Sequence, residues 1–437
     1  MKFQRPILLI SIVISVAVIA NALSVGLSAN SYSANYPPVV CPPTSTNLTT
    51  AISLTSDKTQ LRFIGSKSLS TIPSQSVRYN QRKAPIIVEA QNTTPLAWQI
   101  RNGVWAGATI CSSLQNKQWF VGGSANVAGK GVLLLVNSGL SPATVDIRIW
   151  NELGEQPSQA IYLKENSFSK VRLDSLSPGS RDLVIQTLTR AGRITSYMID
   201  ERGRGLKALG GDIVNFAPSA ETEIYIPAIP HNLGSAGNSS SKLSHSLRLL
   251  APGEIDASVT VEVYSTDGTF IPAGLENKIV KSGSVLTLDL DPNLPNTKFG
   301  IKLSSDQPIV AGVFSQTFAQ GKSDFIWSTA APKLTKFTLA TSGLAPRLVF
   351  MADQINVELK LSFNGGKSRT LVVKGAAIAT AAIPTDALSV EVISAGRDTY
   401  AAGLVMSKSG YGYFPLSAGS VLTKSAVPVS NIRVLTP

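Results

Sequence analysis

Residues 145–150 read Val145-Asp146-Ile147-Arg148-Ile149-Trp150, and this stretch decides the fold that the sequence predicts. Apolar and charged residues alternate in it, which is the pattern of a β-strand with one buried face. The same alternation returns at residues 259–264 and 357–361. A glycine follows each stretch at the same offset, at Gly154, Gly268 and Gly366. This recurrence indicates a repeated unit.

Segments around these strands extend the repeat along the chain. The run Val310-Ala311-Gly312-Val313-Phe314 is similar to residues 401–405, and residues 105–109 have the same form. Each unit is predicted to close on an aromatic strand, and these strands lie at residues 119–121, 225–227, 325–327 and 413–415. The repeat predicts a divergent first β unit at 47–125 and three β-sandwich units at 126–220, 221–330 and 331–420.

Strand number and unit length point to one class of fold. Each unit has about seven predicted strands in roughly 90–110 residues, the size of an immunoglobulin-like or fibronectin-like sandwich. Strands do not alternate with long amphipathic helices, which disfavours a parallel α/β sheet. A propeller with one blade per unit is the alternative, but its blades have four strands. We therefore predict an all-β chain of tandem immunoglobulin/fibronectin-like β-sandwich units after an N-terminal transmembrane or signal helix.

The N-terminus predicts the compartment. Lys2 and Arg5 precede an uncharged apolar run that extends to about residue 29. A basic start followed by such a run is an export signal, and the run is long enough to cross a bilayer. Residues 1–29 are therefore predicted to be a signal or anchor helix, 30–46 a stalk and 421–437 a C-terminal tail. The protein would cross the cell membrane once with its body outside, or be secreted if residues 20–22 are cleaved.

Cys41 and Cys111 are the two cysteines of the chain. Outside the membrane, in an oxidising space, they most simply form one disulfide. Two unpaired buried thiols are the alternative. A bridge between them would close a loop of about 70 residues, worth about 4 kcal/mol in the chain-entropy model.

Composition describes a folded protein with a basic surface. Hydrophobic residues make up 43% of the 437 residues, enough for several cores, and the formal net charge is +12. The densest basic pieces, at residues 78–83 and 202–207, are not interleaved with aromatic side chains as a nucleic-acid platform would be. These charges predict a solvated basic surface. The alternative is a surface attracted to an anionic cell envelope, and nucleic acid is not predicted as a partner.

Candidate catalytic and metal-binding patterns are weak. His231 and His245 flank a loop-like segment and have neither a nucleophile motif nor zinc-ligand spacing near them. The acidic pairs Asp289 with Asp291 and Glu221 with Glu223 are more typical of solvent-facing strand positions than of a glycosidase. We therefore predict no catalytic residue, no metal site and no cofactor, and a protein that is not an enzyme.

Short motifs along the chain resemble an actinobacterial exported family of unknown function, DUF5719. They are residues 39–43 after the N-terminal run, Cys111, residues 119–123 and 135–137, and residues 143–145 ahead of Trp150 and Gly154. The resemblance implies a cell-envelope protein of actinobacteria, and it supplies neither an activity nor functional residues.

Two functions compatible with this pattern remain open. The first is a structural or interaction protein whose partner is an envelope glycan or an envelope protein, with the membrane contacted through the N-terminal helix. The second is a carbohydrate-binding protein that recognises envelope polysaccharide. That alternative needs exposed aromatic rings, for which Trp98, Trp105, Trp150 and Trp327 are the candidates.

Overall fold

Strands dominate the computed structural model, which confirms the predicted all-β class. The structure describes residues 32–44, 49–54, 58–73, 77–81, 84–89, 92–101, 105–205, 207–231, 244–290, 298–319, 322–408 and 410–426. The predicted helix at 1–29 lies outside these residues. Within the described ranges, no helix has the length and apolar character needed to span a membrane.

Two terminal strands form a small unit of their own. Strand β1 (Tyr32–Asn35) pairs antiparallel with β33 (Thr423–Ala426), and the hydroxyl of Thr423 donates to the carbonyl of Asn35 at 3.1 Å. All other described strands belong to the unit Pro37–Val421.

The first part of that unit is a pair of four-stranded sheets. Their strands are β2 (Val39–Cys41), β3 (Thr49–Leu54), β4 (Lys58–Phe63), β5 (Ser70–Pro73), β6 (Val77–Gln81), β7 (Ile86–Val88), β8 (Thr93–Thr94), β9 (Leu96–Arg101) and β10 (Trp105–Ile110). One sheet has the order β2-β7-β4-β5 and the other β10-β9-β3-β6, while β8 joins a different sheet.

The second part repeats this strand order. Its strands are β11 (Lys117–Val121), β12 (Val132–Asn137), β13 (Ala143–Asn151), β14 (Gly154–Leu163), β15 (Ser167–Arg172), β16 (Val184–Ala191), β17 (Ile194–Arg204) and β18 (Lys207–Val214). The sheet orders are β11-β16-β13-β14 and β15-β12-β17-β18. Helix α1 (Leu173–Leu176) follows β15.

In the third and fourth parts, long bent strands run from one sheet into the other. The third part has β19 (Glu221–Ile229), β20 (His245–Leu250), β21 (Ala257–Ser265), β22 (Gly268–Phe270), β23 (Lys278–Val280), β24 (Leu286–Asp289), β25 (Phe299–Ala319) and β26 (Lys322–Thr329). The fourth has β27 (Thr338–Ala340), β28 (Arg347–Ser362), a 3-10 turn (Asn364–Gly366), β29 (Ser368–Ala382), β30 (Ser389–Ala395), β31 (Tyr400–Ser407) and β32 (Gly410–Pro415). β25 pairs first with β19 and β21, then with β20 and β26.

Alternation in the sequence explains which strand faces are buried. In β13, Val145, Ile147 and Ile149 are fully buried, while Asp146 and Arg148 are partly exposed. β21 has the same burial pattern as β13. A core lies between the two sheets of each part, as apolar burial requires.

Four hairpins meet at the centre of the unit. The second strands of these hairpins, β10, β18, β26 and β32, pack in a closed order in which β32 returns to β10, and we call them the central ring. Small residues allow the close approach. A Cβ at Gly107 on β10 would lie 2.9 Å from the backbone nitrogen of Ile213, and one at Gly412 on β32 would lie 2.8 Å from that of Ala108.

Strand pairing corrects two expectations. Residues 39–41 of the predicted stalk form the buried strand β2, because Val39 and Cys41 pack into the first core while Val40 packs into a second apolar cluster on the other face. The aromatic strands expected to be equivalent are of two kinds. Residues 119–121 and 225–227 lie in β11 and β19, which begin their parts, whereas 325–327 and 413–415 lie in the central ring.

Candidate functional site

Cys41 and Cys111 form a disulfide, as the sequence predicts. Their Cα atoms are 4.5 Å apart, and both residues are fully buried in the core of the first part. Beside the bridge, the amide of Val40 donates to the carbonyl of Ser112 at 2.9 Å. The disulfide therefore fastens β2 to the segment that follows β10.

The two histidines, which lie 14 residues apart in the chain, are brought together in the structure. His231 Nδ1 lies 2.9 Å from His245 Nε2, and His245 Nδ1 lies 2.8 Å from the hydroxyl of Ser315. The ring of Phe299 packs nearly perpendicular to both imidazole rings, and all three polar residues are buried. Sequence reasoning placed both histidines beside one loop but missed their link to Ser315, which comes from β25, 70 residues after His245.

The acidic pairs do not converge on a site. Glu221 and Glu223 are exposed on β19, and Glu223 forms an ion pair with Lys302 at 3.2 Å. Asp289 is exposed on β24, and its predicted partner Asp291 lies outside the described residues. Among the described residues, no group of three histidine, cysteine or carboxylate side chains is arranged to hold a metal ion.

The tryptophans proposed for a carbohydrate platform are core residues. Trp98, Trp105, Trp150 and Trp327 are each at most 2% exposed. None of these four rings presents a face to solvent on which a sugar could stack.

Three buried aspartates, Asp200, Asp212 and Asp324, lie near the central ring, and two of them bind Trp327. The indole Nε1–H of Trp327 donates to Asp200 at 2.9 Å, and its amide donates to Asp212 at 2.7 Å. The amide of Gly211 donates to Asp324 at 3.1 Å. The bonds to Asp200 and Asp212 hold Trp327, which forms part of a cavity on the neighbouring sheet face.

Burial alters the acidity of two of these carboxyl groups. It raises the pKa of Asp212 well above the ordinary 3.8, and the charges of Asp324 and Asp200 add to the shift. Hydrogen bonds from the amides of Trp327 and Ile213 oppose it. Burial also raises the pKa of Asp324. Both groups therefore take up protons more readily than exposed aspartates.

The cavity has a volume of about 260 Å³, and one of its walls is a face of the sheet that contains β20. Ser246 and Arg248 are two positions apart on β20 and share that face. Strand register brings Phe314 opposite Ser246, and Trp327 opposite Phe314. The intervening residues of β20, Leu247 and Leu249, enter the third core instead. We call this space the arginine cavity.

Arg248 is held firmly although it is charged and buried. Its Nη1 donates to the carbonyls of Gly123 at 2.8 Å and Leu183 at 3.1 Å, and its Nη2 donates to Asp182 at 2.5 Å. Its guanidinium carbon lies 4.8 Å from the ring centre of Trp327. Burial lowers the pKa of Arg248 to about 10, so the group stays cationic at neutral pH.

A second guanidinium lines the cavity from β17. Arg202 donates to Asp200 at 3.1 Å, and its guanidinium carbon lies 4.7 Å from the ring centres of both Phe314 and Phe325. Exposed Arg181 adds a third cation. The cavity thus combines hydrogen-bond donors, positive charge and aromatic walls, which suits binding of a polar ligand.

Comparison with known proteins identifies one family. DUF5719, described as a family of unknown function, matches residues 71–388. No curated protein matches the chain. The crystal structure of Thermotoga maritima 1070 aligns with 25% of this chain and 93% of its own length, at 14% identity and a TM-score of 0.21. Those values are too low to indicate a shared fold.

Proposed function

The chain belongs to DUF5719, a family of unknown function, and we propose that it is a non-enzymatic structural or interaction protein of the cell envelope. Its tandem immunoglobulin/fibronectin-like units, at 47–125, 126–220, 221–330 and 331–420, present binding surfaces outside the membrane. Residues 1–29 anchor it, or are removed on secretion. The partner is an envelope glycan or an envelope protein, and not nucleic acid.

The buried disulfide supports the compartment. Disulfides persist in oxidising spaces outside the cytoplasm and are rare inside it. The bridge between Cys41 and Cys111 lies in the core of the first part, so the fold uses it as a structural bond.

The free edge of β29 is the observation that carries the interaction role. Along its 15 residues, β29 pairs with β28 and with no other described strand. Val372 on this strand is 52% exposed, and the neighbouring β22 ends at Phe270, which is 37% exposed. Open edges and exposed apolar side chains are features of surfaces that bind another chain.

Internal contacts of the titratable groups favour recognition over catalysis. His231 and His245 contact each other, and Asp200 accepts hydrogen bonds from Trp327 and Arg202. General acid–base catalysis requires a group within reach of a substrate proton, and these residues are buried in the core.

The proposal is tested by crosslinking in native envelopes. A photo-crosslinking residue at position 372 of the full chain should capture a discrete envelope component. The matched control is position 140, because Leu140 is 87% exposed but lies in the bend between β12 and β13 and on no strand edge. Equal crosslinking at both positions, or none at 372, would contradict the proposal. So would hydrolysis of envelope glycan by the purified protein.

A further inference from the structure

We propose that the arginine cavity is a binding site for an oxyanion, a carboxylate or phosphate group, which Arg202 and Arg248 hold between them. This inference goes beyond the envelope role and does not rest on it, because a bound anion can be measured on the purified protein without any partner.

Unused donors are the first argument. The Nε atoms of both Arg202 and Arg248 are buried and have no hydrogen-bond partner within the described part of the chain. Arg248 is 4% exposed, so bulk water does not serve its Nε. A buried donor without an acceptor is costly, and most such groups in proteins are paired. Both guanidiniums line the cavity, so an anion bound there would lie beside arginines whose donors are not all used.

Charge is the second argument. The residues that line the cavity include three arginines and one aspartate. That aspartate, Asp182, accepts a hydrogen bond from Arg248. Asp200, which does not line the cavity, accepts one from Arg202. Glu152 lies 4.0 Å from the third arginine, Arg181, at the exposed end. Three arginines thus line the cavity against a single lining carboxylate, and guanidinium donors match the oxygens of carboxylate and phosphate.

The volume and the lining of the arginine cavity restrict which molecules can bind there through an anionic group. A volume of about 260 Å³ is below the range of pockets for drug-sized ligands, so one small charged group fits and a larger molecule does not. The hydroxyls of Ser246 and Thr287 add neutral hydrogen-bonding groups, and the side chains of Trp327 and Phe314 add apolar wall. This combination suits an acidic sugar or a small free anion.

The binding test uses the purified full chain and isothermal titration calorimetry. The probes are inorganic phosphate, glucuronate and its methyl glycoside, with glucose as the uncharged control. We expect saturable one-to-one binding of at least one anion and none of glucose. Binding of the methyl glycoside as tightly as glucuronate assigns the site to a group on a glycan, whereas binding of free anions alone assigns it to a dissolved ion.

Three variants locate the site. Arg202→Gln removes one guanidinium and should weaken binding at least about tenfold, since hydrogen bonds to charged groups are the strong ones. Ser246→Leu fills the cavity while both arginines remain, and should abolish binding. Arg190→Gln is the matched control, because Arg190 is an exposed arginine that does not line the cavity. Its Nε lies 2.6 Å from a carboxylate oxygen of Asp146. It should bind within about twofold of the original protein.

Two results would overturn the proposal. One is the absence of saturable binding for every anion tested. The other is binding that Ser246→Leu and Arg202→Gln leave unchanged, which would place the anion elsewhere on the basic surface. Unfolding temperatures of all variants, measured without ligand, separate loss of the site from loss of the fold.

Discussion

Asp212 accepts a hydrogen bond from the amide of Trp327 at a place where its negative charge is disfavoured. Burial is the main cause, and the raised pKa means that the folded protein binds a proton more tightly than the unfolded chain does. The contribution of Asp212 to the free energy of unfolding is fully present below its ordinary pKa of 3.8. It is lost as the pH rises through the pKa of the folded state. Its sign is thus opposite to that of a salt-bridged aspartate.

Replacing Asp212 should therefore change the pH dependence of folding. Asp212→Asn keeps an oxygen that can accept from the Trp327 amide and removes the titration. We expect a smaller decrease in the free energy of unfolding between pH 4 and pH 8 than in the original protein, where one extra bound proton contributes up to about 1.4 kcal/mol per pH unit. Urea unfolding at several pH values measures this.

The control for this substitution is Asp386→Asn, at an exposed carboxyl group after β29. It should leave the pH profile of the original protein unchanged. An Asp212→Asn profile that is parallel to the original one would show that this carboxyl group does not titrate differently on folding.

Individual polar side chains were the hardest feature to anticipate from sequence. Arg202 stands in a basic stretch that predicts a solvated surface, yet its guanidinium packs on Phe314 and Phe325. Those rings belong to strands more than 100 residues later in the chain, so the residues near Arg202 in the sequence do not predict the contact. The cysteine pair could be predicted because only one pairing exists.

At the scale of single strands, alternation was a reliable guide. It predicted β13, β21 and the second half of β28, and the turn glycines after β13 and β21 have φ of +128° and +121°. It could not tell a strand that begins a part from one that joins the central ring. Aromatic and apolar residues fill both kinds of strand, and only long-range pairing distinguishes β11 from β26.

Close approach within the central ring makes Gly412 a sensitive position. A Cβ there would lie 2.5 Å from the ring of Trp98 and 2.8 Å from both the Cβ and the nitrogen of Ala108. Gly412→Ala should destabilise the fold by about 1–3 kcal/mol, as overpacking does. Chemical denaturation measures the change.

Gly253→Ala is the matched control for that measurement. Nothing lies within 4 Å of a Cβ at Gly253, whose φ is not positive. We expect no loss of stability, or a gain of about 0.4–1 kcal/mol from the stiffer unfolded chain. Equal effects of the two substitutions would mean that β32 and β10 are not tightly packed.

For the molecule as a whole, the disulfide should contribute a large share of stability. Its cysteines are 70 residues apart, and closing a loop of that length is worth about 4 kcal/mol in the chain-entropy model. Reduction of the original protein should lower the free energy of unfolding by about that amount. A variant with both Cys41→Ser and Cys111→Ser should have the stability of the reduced protein and should not respond to reductant.

Both samples are compared with and without reductant by urea unfolding. A reductant effect in the double serine variant would assign the loss to something other than the bridge. An unchanged stability of the reduced original protein would show that the first core holds without it.

The shared core of the first and fourth parts imposes an order on synthesis. Leu96, Trp98 and Ala106 pack into one core with Leu348, Phe350 and Phe414. Synthesis adds about 5–20 residues per second, so the residues of the first part are made on the order of 10–60 seconds before their last neighbours in the fourth part. A chain that ends before the fourth part would leave these apolar side chains of the first part exposed. We therefore expect truncated products of this protein to bind chaperones that hold unfolded chains.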